Sequence, residues 1–318
     1  MNLSALKTPK GCLGCLGILL ITIVVAVAGL LLGGIVNRAY QLPVISLAAE
    51  EIPLPFSVPL LGHSIPNTLP ATWLSMLVLI LVAYFGTRKM ELVPSGFQNA
   101  VEAIVEMFYN FVEGVAGEKA RTFFPLVATF FFFILISNWM GILPGFGSIG
   151  VWVEHDHHVV LVPFLRSANA HLSTTIALAI VSVGATQYFG FKMLGRSFLS
   201  RYFTFKSSPR EDSEAGGFAA LIGKLGGFME RIGNAFAGLL ELVSEFIKIL
   251  SFSFRLFGNI FAGEVLLIVV AYLAAFLASL PFMGLEIFVG FVQALIFSML
   301  SLVFFMIATA HHGSGESH

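Results

Sequence analysis

Apolar residues gather along the chain in six long blocks, at about 12–36, 70–87, 122–143, 169–191, 230–278 and 285–310, with polar stretches between them. Each block except the fifth suits one crossing of a bilayer, which takes ~20 helical residues. The blocks do not alternate with the two-residue period of a membrane strand, which argues against a β-barrel. Hydrocarbon offers no water to unpaired backbone groups, so blocks of this kind are predicted as helices. The expected fold is an all-α integral membrane protein of about six hydrophobic helices. Residues 1–36 would hold an N-terminal transmembrane helix and 37–69 an external Pro-rich connector. A membrane domain would follow at 70–310, with a charged helix at 222–278 and a final helix at 285–310, and then a polar tail at 311–318.

Residues 95–117 break the pattern. Glu102, Glu106 and Glu113 recur at spacings of four and seven, with Val101, Ile104, Val105, Phe108 and Val112 on other faces. That is an amphipathic helix, at the membrane surface or against the bundle.

The fifth block is the unusual one. No proline stands between Pro209 and Pro281, and the apolar part covers nearly fifty residues. At 1.5 Å per residue this is on the order of 70 Å, more than twice a bilayer core. It is either two spans without a turn signal or one strongly tilted helix. Its charges favour the second, because Glu241, Glu245, Lys248, Arg255 and Glu264 would otherwise be scattered through hydrocarbon at ~2.5–3.5 kcal/mol each.

At ~100° per residue, Glu241, Lys248, Arg255 and Ala262 stay on one helix face, with Ser244, Ser251 and Asn259 filling in between. Such a stripe cannot face lipid; it must meet a water-filled cleft, another polar helix or a moving partner. Lys248 could be a structural lock with Glu241, Ser244 or Glu245. Arg255 has no acid three or four residues away, and Gly258, Ala262 and Gly263 would let another helix approach its backbone closely. Glu264 is about half a turn out of phase with Arg255. In the last block Glu286 and Gln293 share a face, with Gly290 between them. A fixed cation and separate titratable acids on different faces suit proton traffic better than a structural ion pair.

Composition sharpens this picture. The chain of 318 residues is 57% hydrophobic and 11% charged, with mean hydropathy +0.92. A soluble domain carries roughly 25% charged residues. A net charge of −1 gives no basic field for nucleic acid. Cys12 and Cys15 form a lone CxxC without partner ligands, read as small residues at a membrane boundary. The first block is longer than a signal core and lacks a small-x-small cleavage site, so a retained span is expected. With the N-terminus in the cytoplasm, twelve of the seventeen Lys and Arg fall in inner segments and only Arg38 and Arg166 in the outer loops. The positive-inside rule then puts both termini in the cytoplasm.

The run SFRLFGNIFAGE at 253–264 strongly resembles the signature of subunit a of rotary ATP synthases. LVPSGFQNAVE at 92–102, FLRSANAHLSTTIAL at 164–178 and VQALIFSML at 292–300 resemble further segments of that family, in family order. The resemblance implies a proton-channel stator subunit packed against a ring of c-subunits. Peripheral-stalk b subunits, other ATP synthase subunits and the lipid bilayer would be its further partners. The expected site is the plasma membrane of a bacterium, as a multi-pass protein of the energy-transducing inner membrane.

By that resemblance Arg255 is the essential arginine facing the ring, Asn259 and Gln293 are polar residues near it, and Glu264 is a half-channel acid. Glu286 falls where many members carry histidine, which puts a histidine-based relay in doubt here. Glu241 and Lys248 match polar family positions. No cofactor is expected, and no nucleotide site, since GGFAALIGKL at 216–225 lacks P-loop spacing and the hydroxyl after Lys224.

The cluster Glu154, His155, Asp156, His157 and His158 is read as a solvated, proton-collecting outer loop rather than a metal site, because no second cluster closes it. His171 is either a boundary residue or part of an entry path. The competing class is a secondary transporter using Arg255 to bind an anionic substrate. Such folds show repeated halves, and the run at 253–264 occurs once.

Overall fold

The computed structural model describes residues 51–58, 62–88, 96–143, 150–155, 158–163, 166–195, 198 and 218–310. The predicted span at 12–36, the CxxC, the tail at 311–318 and most of the connector at 192–224 lie outside these residues. In chain order the elements are β1 (Glu51–Val58), β2 (Gly62–Pro66), α1 (Thr68–Thr87), α2 (Gly96–Ala116), α3 (Ala120–Ile142), β3 (Gly150–His155), β4 (His158–Pro163), α4 (Leu172–Leu194) and α5 (Phe218–Thr309). Single 3-10 turns precede α3 and α4, at Gly117–Lys119 and Ala168–Ala170. Among the described residues, five helical stretches are long and apolar enough to cross a membrane: Thr68–Thr87, Gly96–Ile142, Leu172–Leu194, Ile232–Ala271 and Ser279–Thr309. The chain is a helical, multi-pass membrane protein.

The connectors at 37–69 and 144–168 both carry strand pairs. β1 pairs antiparallel with β2, from Glu51 opposite Pro66 to Val58 opposite Gly62. β3 pairs with β4, from Gly150 opposite Pro163 to His155 opposite His158. β-branched Val151 and Val153 on one side of Asp156–His157, and Val159, Val160 and Val162 on the other, are the strand signal. Of the His-rich run, Glu154, His155 and His158 belong to these strands, while Asp156 and His157 lie outside the described residues.

α5 is helical from Phe218 to Thr309 but is not straight. Gly263 and Glu286 touch, although the 23 residues between them would span ~34 Å of straight helix. The chain folds back between these positions, giving a first arm (Ile232–Ala271) and a last arm (Ser279–Thr309). The first arm runs 40 residues without a break, so the fifth block is one long helix there. The final helix expected at 285–310 falls on this last arm, and Pro281 lies inside α5.

The chain divides into two compact units. One holds residues 1–73, 137–170 and 258–292, and so carries both strand pairs and the fold-back of α5. The other holds residues 74–136, 171–257 and 293–318. In this second unit Gly117 (φ +56°) turns the chain between α2 and α3. Phe108 then stacks on Phe131 with ring centroids 4.3 Å apart. The face of α2 bearing Phe108, Val112 and Ala116 is buried, while Glu102, Glu106 and Glu113 stay exposed, as their spacing predicts.

The core of this unit is aromatic. Phe123, Phe189 and Phe305 meet at 5.0–5.7 Å, and Phe297 contacts both Phe130 and Phe252. Serines let helices close in: Ser182 Oγ of α4 and Ser301 Oγ of α5 hydrogen-bond at 2.6 Å. Lys119 caps the far end of α5, donating to the carbonyl oxygen of Thr309 at 2.9 Å.

Candidate functional site

The first arm of α5 buries Phe252, Ser253, Leu256 and Ile260, a spacing of three to four that turns one face inward. Arg255 is half-buried at the edge of that face, while Ser251, Asn259 and Ala262 are exposed. Among the described residues Arg255 makes no hydrogen bond or ion pair. Space is open around Gly258, where an added Cβ would meet nothing within 4 Å. The polar stripe thus runs along the border between the covered face and an uncovered one. Further back, Ser244 Oγ donates to the Glu241 carbonyl at 2.7 Å. Lys248 Nζ donates to Glu245 Oε1 at 2.7 Å and lies 5.0 Å from the Phe304 ring centre. Of the lock partners the sequence leaves open, Glu245 is the one engaged.

A second group of charges belongs to the unit that holds the α5 fold-back. Arg166 Nε donates to both carboxylate oxygens of Glu264, at 2.9 and 3.0 Å. Arg166 is 8% exposed and Glu264 30%. Glu286 is 7% exposed, and its carboxylate fills the place that a side chain on residue 263 would take. Gly263 is therefore what admits Glu286 against the first arm of α5. Among the described residues Glu286 makes no hydrogen bond or ion pair.

Buried amides hold this arrangement. Asn138 donates to the Gly290 carbonyl at 3.1 Å and accepts from Asn169 Nδ2 at 2.7 Å. Trp139 Nε1 donates to the Ile287 carbonyl at 3.1 Å. Ser167 Oγ donates to the Ser137 carbonyl at 3.3 Å, fastening the residue next to Arg166 onto α3. A turn closed by the Ala170 N–H on the Ser167 carbonyl, 3.0 Å, sets the connector's path.

Five expected ion-path residues thus divide between the units: Arg255 and Gln293 in one, Asn259, Glu264 and Glu286 in the other. Glu286, Gly290 and Gln293 are all buried, as their shared face predicts. His171 stands at the N-cap position of α4, with Nδ1 2.6 Å from Ser173 Oγ. Arg166, Asn138 and Asn169 are the site residues that sequence reasoning misses. For Arg166 one signal was present: it is one of only two cations on the side of the membrane that the Lys/Arg count leaves nearly bare.

Buried charges on long apolar helices define a multi-pass membrane protein built to handle ions. The chain belongs to the ATP synthase A chain family, whose model matches residues 69–306. It is 32% identical to ATP synthase subunit a of Syntrophobacter fumaroxidans over 241 residues, covering 76% of this chain and 83% of the relative. It is 29% identical to that of Moorella thermoacetica over 247 residues, 78% and 91% of the two chains. With that of Geobacter sulfurreducens it shares 31% over 233 residues, 73% and 83%. The transporter reading of Arg255 finds no support in this membership.

Proposed function

We propose that this chain is the proton-channel stator subunit of an ATP synthase, passing ions to and from the carboxyl groups of a c-subunit ring through two offset half-channels. The observation that carries this reading is Arg255: a half-buried cation with no partner among the described residues, on the open edge of a long apolar helix. A guanidinium stays charged under all ordinary conditions, and an intramembrane charge is costly unless something meets it. A ring carboxyl must be neutral while it crosses lipid and ionised when it reaches water. Arg255 attracts the ionised form and bars direct passage between the half-channels, so ion flow requires the ring to turn. Asn259 and Gln293 are the polar neighbours of this step, Glu264 and Glu286 line one half-channel, and Glu241, Ser244, Lys248 and Ser251 continue the polar path. ATP chemistry belongs to other subunits of the complex, and peripheral-stalk b subunits hold this chain still.

Isolating the chain from its own membranes in mild detergent tests the assignment. It is expected to bring with it a ring of small hairpin subunits and a head that hydrolyses ATP, both identifiable by mass spectrometry. Recovery of the chain alone or with a solute-binding partner would overturn it.

The bacterial relatives favour the inner membrane of a bacterium, and the Lys/Arg distribution favours 37–69 and 144–168 external, 88–121 and 192–224 inside, and both termini cytoplasmic. Single cysteines at Ser57 and Ser207, in a chain freed of Cys12 and Cys15, should react with an impermeant maleimide from opposite sides. Reaction of both from one side would sink this topology.

A further inference from the structure

We propose that Arg166 is the counter-charge of the half-channel: it holds Glu264 as a fixed partner and leaves Glu286 as the acid that takes up and hands on the ion. This rests on the half-channel reading above and gives its two acids different duties. In the helices of this unit and in residues 166–170, the charged side chains are Arg166, Glu264 and Glu286. Arg166 offsets the charge of Glu264, which follows in the chain the glycine that Glu286 packs on. Its Nε reaches both oxygens of Glu264, at 2.9 and 3.0 Å, so the carboxylate is straddled rather than touched at one corner.

The guanidinium is also well placed to act as a fixed charge. Its neighbour Ser167 is tied to α3, and Asn169 is tied through Asn138 to the carbonyl of Gly290, one turn beyond Glu286 on the last arm. Arg166 is thereby fixed relative to both arms of α5. Glu286 differs in kind. It is buried against Gly263, one residue from the paired acid, and makes no hydrogen bond or ion pair among the described residues. A group that must receive an ion and release it needs this freedom, and a group locked on a permanent cation lacks it. Arg166 is accordingly a positioning residue, acting through the acid it holds.

The test is a double-mutant cycle in the complete ATP synthase, reconstituted into vesicles and driven by an imposed proton gradient. R166Q alone leaves Glu264 without this cation, and E264Q alone leaves Arg166 without this acid. Each is expected to lower ion-driven ATP synthesis about tenfold or more, since breaking one side of a buried pair costs far more than removing both. The combined variant R166Q/E264Q restores the balance and is expected to recover to within about threefold of the unaltered protein. R166K, which keeps the charge, is expected to retain about a third of the rate or more.

A merely structural brace predicts the opposite for the combined variant, because neither single change nor both together would leave the brace in place. An ion-carrying Glu264 predicts the same failure. A double variant no better than E264Q alone therefore overturns the proposal, as does R166Q at the unaltered rate. Hydrolysis by the extracted complex reports assembly. Should R166Q not assemble, the comparison of E264Q with the double variant still decides. Arg255→Ala made in the same preparation separates the two levels: its failure beside a fully active R166Q removes Arg166 from the path and leaves the stator reading standing.

Discussion

Arg255→Ala abolishes ion-driven ATP synthesis while membrane insertion and assembly of the complex proceed nearly unchanged. The expectation follows from where the side chain sits. Its helix is anchored by Phe252, Leu256 and Ile260, which are buried, and Arg255 lies beside that face with no hydrogen bond or ion pair among the described residues. Truncation removes little packing and leaves no opposite charge stranded in the chain, so the fold loses little. What it removes is the barrier: the alanine variant is expected to leak protons when the catalytic head is stripped off. Arg255→Lys keeps the charge but replaces a planar, delocalised group by a compact, strongly hydrated ammonium, and synthesis should fall nearly as far. The measurement is ATP formed by reconstituted vesicles under an imposed gradient, beside a leak assay on head-stripped vesicles. Normal synthesis by the alanine variant would refute the stator mechanism.

Glu286→Leu has the second-largest effect. Leucine matches the surroundings of a residue only 7% exposed, and exchanging a buried charge for a well-packed apolar group is often neutral for stability. The complex should therefore assemble and hydrolyse ATP when uncoupled from the membrane, while proton flow falls by about two orders of magnitude, as expected when the only carrier in a relay is lost. Glu264→Leu also slows flow, but through the unbalanced Arg166 it leaves behind. Proton pumping driven by ATP hydrolysis, followed with a pH-sensitive dye, separates the variants. Full-rate pumping by the Glu264→Leu, Glu286→Leu double variant would remove both acids from the path.

What was readable in the sequence was whatever depends on neighbours along the chain. The apolar blocks at 70–87, 122–143 and 169–191 fall on α1, α3 and α4 within a few residues, because length and hydropathy decide a spanning helix. The α2 glutamates face outward for the same local reason, and the Lys248–Glu245 lock is a contact three residues long. Contacts between distant segments were not legible. Arg166 and Glu264 are 98 residues apart, and no periodicity links a connector arginine to an acid on a later helix. Two separate helices were expected at 222–278 and 285–310, yet the tight packing of Glu286 on Gly263 depends on two arms meeting. The strands at 51–66 and 150–163 were not legible because prolines and histidines among their residues weaken the strand signal.

The seam between α4 and the last arm of α5 bears on how the protein is made. Ser182 and Ser301 are separated by 119 residues, and a ribosome adding ~5–20 residues per second completes the second partner on the order of ten seconds after the first. For that interval α4 waits in the membrane with its inner face uncovered. Two of its buried hydroxyls are provided for: Thr175 donates to the Leu172 carbonyl and Thr186 to that of Ser182, both at 3.0 Å. The last arm arrives equally prepared, with Ser298, Ser301 and Thr309 each donating to the carbonyl four residues earlier. Side chains that satisfy themselves within their own helix let each span enter lipid as an independent piece. The serine seam can then close late during biogenesis, when Ser301 arrives to meet the waiting Ser182 hydroxyl.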